Sequence, residues 1–450
     1  MILFKLNSRK PAFFALLFTT LFIAAIISPW FTNNRGIVVE PKKEFGFQRD
    51  AEVLVISKIA AELSNVSTYG YNLGRLGSET TIELNTWGNP DPYIAIDQKG
   101  AKDFVPYETQ YGIQSLIYSK AYVQLVNITG NIFNVTDLRY LVTYLFVFIN
   151  LLIFIVIFRK IDKLYALIWL FTLFTSPWIM LFSRNIYWSI FSFYIPILMG
   201  IIYSCANSFK SKALIILFLN FTLIFRFLMG YEFYTTLIIS CIYFCFLPSI
   251  IRGEFKIKER IKEILAILTS ILVSLFIAIS IHGFLSPDGI VSNFSRMLNR
   301  SNARSATGSM PISTIVSTIE SYFLNWPKMF GWPIWYSENN VLVIPLPIVP
   351  NINFTGQDFI VILLLVVLMF FTSLIQKNKS LLNFSPLIVI LGPLSWLIIY
   401  PIHEDEHGID FFLMYFGSIQ AILYILLKSL DKLVIKNLTL GRAIFKREIQ

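Results

Sequence analysis

The chain is expected to fold as an all-α polytopic membrane protein, with about ten transmembrane helices and two large exterior loops. Three observations predict this. Hydrophobic residues make up 56% of the 450, aromatic residues 16% and charged residues only 14%, whereas a soluble domain is nearer a quarter charged. The apolar excess gathers in runs of about 18 to 20 residues, long enough to cross a hydrocarbon core of roughly 30 Å. The basic residues, finally, fall mostly on one side once the runs are made to alternate across a bilayer.

Taken in order, the runs cover approximately residues 11–30, 139–158, 164–183, 186–205, 213–229, 232–250, 264–283, 359–376, 383–400 and 411–428. The first follows Lys5, Arg9 and Lys10. It is long for a signal peptide, and no small-x-small cleavage site follows Ser28-Pro29-Trp30, so it reads as a retained anchor. With the N-terminus in the cytoplasm, the cytoplasmic segments hold 21 of the 37 Lys and Arg but 6 of the 27 Asp and Glu. This is the positive-inside pattern, and it places both termini in the cytoplasm. The net charge of +10 is then topological and gives no support to a nucleic-acid partner. Cys205, Cys241 and Cys245 lie in or beside apolar runs, so no disulfide framework ties the exterior segments together.

The expected organisation is an anchor helix over 1–30, exterior loop one over 31–138, spans two to seven over 139–283, exterior loop two over 284–358, spans eight to ten over 359–428, and a basic cytoplasmic tail over 429–450. Loop one carries two stretches with helical apolar spacing, Asp50 to Leu63 and residues 111–126, and the Gly/Asn/Pro-rich segment from Gly70 to Pro92 reads as turns. Loop two is basic at its start, with Arg296, Arg300 and Arg304, and aromatic and proline-rich from Tyr322 to Tyr336. No internal repeat is evident, which counts against a secondary transporter or lipid-glycan flippase.

Ionisable groups at membrane depth usually face a cavity or one another, so they are the first functional candidates. Asp50 and Glu52, near the surface after the first span, offer carboxylates for general-base work; the plain alternative is an acidic first turn complementing a helix dipole. Arg184, beside a span end, has the planar fork that binds a phosphate bidentately, although an interfacial arginine among belt aromatics looks the same. Arg226 and Glu232 bracket a helix break at Gly230, where an ion pair closing a hairpin is the plain account. His403-Glu404-Asp405-Glu406-His407 is a literal H-E-x-x-H, but it follows a proline in a short loop and both its central residues are acidic. A helical zinc site needs a different setting, so a metalloprotease is the weaker reading.

In this order the residues resemble the GT-C superfamily of membrane glycosyltransferases, such as protein O-mannosyltransferases and the lipid A aminoarabinose transferase. The resemblance rests on Asp50-Ala51-Glu52 ahead of an interfacial helix, the stretch from Phe104 to Gly112, Asp137-Leu138-Arg139 at the second span, and Ser176-Pro177 followed by Arg184. It covers about residues 11–205; beyond them it thins to a histidine-containing exterior loop. Ala51 between the acidic residues and the HEDEH run depart from the family pattern.

The resemblance implies a polyprenyl-phosphate-linked sugar donor and a glycan or lipid acceptor at the exterior face of a bacterial inner membrane. Asp50 would be the base, with Glu52, Glu108 and Glu232 as further catalytic candidates. Arg184, Arg226, His403 and His407 would receive the lipid phosphate. Some members use a divalent metal and others none; no protein metal ligand is assigned here. An O-antigen polymerase, with Arg296, Arg300 and Arg304 as key residues, is the nearest alternative.

Overall fold

The computed structural model describes residues 10–33, 41–82, 90–305, 316, 335–336, 341–342, 356–375, 385–400 and 410–430. The chain is mostly helical. Four helices are long and apolar enough to cross a membrane: α5 (Val135–Lys160), α9 (Phe209–Met229), α10 (Tyr234–Ile251) and, within α11 (Ile257–Leu285), residues Arg260–Leu285. Shorter apolar helices cover Phe14–Pro29, Lys163–Thr175, Phe191–Ser204, Ile360–Phe371, Ser385–Ile399 and Ser418–Leu430. They belong to α1 (Lys10–Asn33), α6 (Lys163–Thr175), α8 (Phe191–Ser204), α13 (Gly356–Ile375), α14 (Ser385–Ile399) and α15 (Ser418–Leu430).

Several helices carry apolar side chains where a soluble protein would carry polar ones. Phe14, Phe18 and Phe22 of α1 are exposed one turn apart, as are Leu272 and Phe276 of α11 and Leu364 and Leu368 of α13. Stripes of this kind are stable against lipid and costly against water. The inward faces pack α10 on α8 and α14, α9 on α8 and α11, and α5 on α1, α6 and α8. Trp169 sits at the centre, edge-on to Tyr194 and Phe244, with its indole N–H donating to Asn150 Oδ1 at 3.2 Å. Gly200 of α8 lets the helices close up: a Cβ there would stand 3.1 Å from the Cys241 carbonyl oxygen on α10.

Two expected spans are interrupted. The run 164–183 breaks at Ser176-Pro177 into α6 and α7 (Pro177–Ser183), because Pro177 cannot continue the ladder and Ser176 caps the new helix through its hydroxyl and Ile179 N. The run 186–205 opens with a buried, irregular turn over 184–190 before α8 begins. Apolar composition alone does not separate a helix from a buried turn, and irregular backbone is tolerated at such depth only when protein encloses it.

Loop one is folded. Its helix α2 (Pro41–Leu63) packs on α4 (Ile113–Thr129), on α3 (Pro92–Gln98) and on β1 (Gly74–Leu76), which pairs antiparallel with β2 (Phe104–Pro106). The expected helices of this loop are therefore α2 and α4, while the short strands and α3 lie in and beyond the segment read as turns. Gly112 starts α4 with φ +68°, and a Cβ there would lie 2.3 Å from the Leu73 side chain. Loop two begins with the basic helix α12 (Gly289–Arg304), and Trp335–Tyr336 (β3) pairs antiparallel with Val341–Leu342 (β4).

Candidate functional site

The turn 184–190 is the pivot of the end of the bundle where α7 finishes and α8 starts. Asn185 organises it from within, its Oδ1 accepting from the N–H groups of Tyr187 and Trp188, both at 3.0 Å. Ser189 holds the left-handed conformation with φ +44°, a strained setting for a residue other than glycine. Loop one grips the turn from outside. Gln114 Nε2 donates to the Tyr187 carbonyl at 3.1 Å, and the Tyr118 hydroxyl meets Ser189 Oγ at 2.7 Å.

Glu52 supplies the deepest of these ties. It is fully buried, and its Oε1 accepts from the Ile186 N–H at 3.0 Å. The Arg139 guanidinium closes on the same carboxylate, with Nη2 at 2.5 Å and Nε at 3.1 Å from Oε2, while the Tyr93 hydroxyl donates to Oε2 at 3.0 Å. Buried charges persist only when paired and hydrogen-bonded, and both oxygens here are engaged. Glu52 thus joins α2, α3, the start of α5 and the turn in one knot.

Glu232 stands in a different environment. It lies in the turn after α9, where Gly230 ends the helix and Phe233 takes φ +63°. Its Oε1 receives Arg304 Nη1 at 3.4 Å and lies 3.5 Å from the Tyr187 hydroxyl, which is itself 3.2 Å from Gln110 Oε1. Its Oε2 has no hydrogen bond among the described residues. Arg226, expected to pair with this carboxylate, instead donates to the Glu232 backbone carbonyl at 3.3 Å and lies over the Phe193 ring at 3.8 Å. The short sequence spacing suggested a pair, but Arg304, seventy-two residues away, takes the carboxylate.

Glu232 lines a cavity of about 230 Å³ bordered by Thr109 and Gln110 of loop one, the turn after α9, and α10, α11, α12 and α14. Its polar lining includes Gln110, Glu232, Arg300 and Arg304. Arg300, one helical turn before Arg304, has no ion pair among the described residues. A second wall is apolar, with Leu275 and Ile279 of α11 and Phe294, Met297 and Leu298 of α12. Tyr231, Tyr234, Trp396 and Tyr400 add aromatic surface. The lining offers cations for an anion, apolar side chains for a hydrocarbon and aromatic surface for a ring.

The other expected residues fall elsewhere. Glu108 is partly exposed and meets Arg296 at 3.0 Å; the same guanidinium reaches Asp288 at 2.5 Å. Hydrogen bonds from the Tyr71 hydroxyl and Arg296 hold the Asp288 carboxyl below the usual carboxylate range. This clasp joins loop one to loop two. Arg184 is buried at the end of α7, at the head of the 184–190 turn, and does not line the cavity. Asp50 lies within α2, but its side chain is outside the described residues, as are His403, His407 and the whole HEDEH run. Among the described residues no group of three His, Cys, Asp or Glu could hold a metal ion.

Sequence reasoning gave no role of their own to Arg139, Tyr93, Gln110 and Tyr187. Arg139 carried a signal, a charge just inside a long apolar span; the others become legible only once loop one is folded. No protein-family model, curated protein or solved structure matches the chain.

Proposed function

We propose that the protein is a membrane glycosyltransferase of the GT-C type, moving a sugar from a polyprenyl-phosphate donor to an envelope glycan or lipid acceptor. The observation that carries this reading is the cavity at Glu232, which sets a carboxylate and two arginines beside an apolar wall and an aromatic one. A lipid-linked sugar phosphate has the same three parts: a polyprenyl chain, an anionic phosphate and a ring. The proposed setting is a bacterial inner membrane, with the cavity on the exterior face and both termini in the cytoplasm.

The reaction is a single displacement. An acceptor hydroxyl oxygen bonds to the anomeric carbon, the bond from that carbon to the phosphate oxygen breaks, and the configuration inverts. The hydroxyl proton passes to a carboxylate, and the polyprenyl phosphate departs with the bonding electrons. Glu232 is the carboxylate in the cavity, and we assign it the base; Asp50, the base by resemblance, is the competing assignment. Arg304 orients Glu232 through Oε1, and Arg300 is left to meet the leaving phosphate, whose charge grows in the transition state.

An O-antigen polymerase is the second reading, favoured by the placement of Arg300 and Arg304 in the cavity. Mass spectrometry of surface glycans from cells with and without the gene separates the two. Loss of one sugar substituent is the transferase result, shortened chains are the polymerase result, and unchanged glycans would remove both.

A further inference from the structure

A second cavity, of about 490 Å³, lies at the opposite end of the bundle from Glu232. It forms where α5, α8 and α10 finish and where α9 and α11 start, the end that carries the short basic connections. Four cations and two carboxylates line it: Lys160, Lys212, Arg252 and Arg260 against Glu254 and Glu263. Glu263 engages two of the cations, Lys212 at 2.5 Å and Arg260 at 2.8 Å. Lys160 and Arg252 have no ion pair among the described residues. Both line the same cavity as Cys205, at the ends of α5, α8 and α10.

We propose that this cavity binds the phosphate headgroup of an anionic membrane lipid. Cations that line one cavity without a carboxylate partner repel each other and favour an anion between them. The Glu263 bridges fix Lys212 and Arg260 as walls, leaving Lys160 and Arg252 as the ligand-facing pair. The place favours a lipid over a soluble phosphate. The cavity sits at the ends of apolar helices, where headgroups lie, and basic pockets between membrane helices on this kind of face take anionic headgroups. Tyr203 and Phe246 also line it and would border the start of the acyl region. The site does not depend on the function proposed for the Glu232 cavity.

The test is native mass spectrometry of the full chain in detergent, supplied with phosphatidylglycerol or phosphatidylcholine. Phosphatidylglycerol should be retained in preference. Each cation near a lipid surface contributes on the order of a fivefold gain in binding, so the double variant K160Q/R252Q should lose roughly twenty-fivefold. The charge-preserving K160R/R252K should keep the preference. If the double glutamine variant fails to fold, K160Q alone carries the test with about a fivefold loss. Equal retention of the two lipids, or undiminished retention by K160Q/R252Q, would overturn the site. Displacement of the lipid by millimolar inorganic phosphate would overturn the lipid assignment.

Discussion

Two buried carboxylates grip the same turn and are set up in opposite ways. Glu52 bonds the Ile186 N–H and fills its remaining positions with Arg139 and Tyr93. Glu232 approaches the next residue, Tyr187, through Oε1, shares that oxygen with Arg304, and borders a cavity. A carboxylate whose lone pairs are all engaged holds structure in place and has little left to offer a substrate. One with an oxygen free of described hydrogen bonds beside a cavity can still accept a proton or orient a hydroxyl. The first region is a framework and the second is the proposed place for chemistry, and the turn joins them: Glu52 bonds Ile186, and Glu232 approaches the hydroxyl of the next residue, Tyr187.

This contrast can be broken at its framework end. Glu52→Gln removes the charge that Arg139 faces in a largely buried setting, and breaking such a pair costs about 3–5 kcal/mol. Thermal melting in detergent should show a loss of that order, with Arg139→Gln matching it and the double variant costing less than the two singles combined. Additive losses would show that the two residues are not acting as one unit.

The next effect belongs to the cavity. Arg300→Gln should weaken binding of a polyprenyl phosphate by roughly tenfold to a hundredfold, the worth of a hydrogen bond to a charged group, with melting unchanged. Arg304→Gln should instead lower turnover by freeing Glu232. The two readouts are a binding titration and a rate, and an exchange of the two phenotypes would reverse the roles assigned to these arginines.

The smallest effect sits at the clasp between loop one and loop two. The Asp288 carboxyl is held below its ordinary value by Tyr71 and Arg296, so the clasp is intact above that range and lost as pH falls through the lowered value. Hydrogen exchange at the start of α12 should rise below about pH 4 in the wild type. In Asp288→Asn it should already be raised at neutral pH.

The apolar helices were legible because their length and composition follow from the thickness of a bilayer. The interruption at Ser176-Pro177 was visible as residues but not as a break, since a proline in an apolar run need not end it: Pro29, Pro196, Pro248 and Pro393 all lie inside helices. The turn 184–190 was hidden by its own apolar side chains, and the strands β1 and β2, three residues each, are too short for any periodicity. In the site, the types of residue were legible and their partners were not. Asp50 and Glu52 read as a pair because they are close in sequence, yet Glu52 turns to Arg139, eighty-seven residues on. Arg226 and Glu232 read as a pair for the same reason, and the carboxylate goes to Arg304. Long-range pairing depends on how loop one and α12 fold over the bundle, which local sequence does not encode.

Glu232 is proposed to do the chemistry while Glu52 holds the frame. The division of roles is tested by the transfer rate per folded molecule of Glu232→Gln, measured beside Asp50→Asn in membranes lacking the wild-type protein. An amide keeps the shape of the carboxylate but cannot take the proton, and a positioned base is worth on the order of 10²–10⁴ in rate. Transfer per folded molecule by Glu232→Gln should therefore fall by that factor, with polyprenyl-phosphate binding retained. Near-normal transfer by Glu232→Gln, with Asp50→Asn inactive, would contradict the account and move the base to α2.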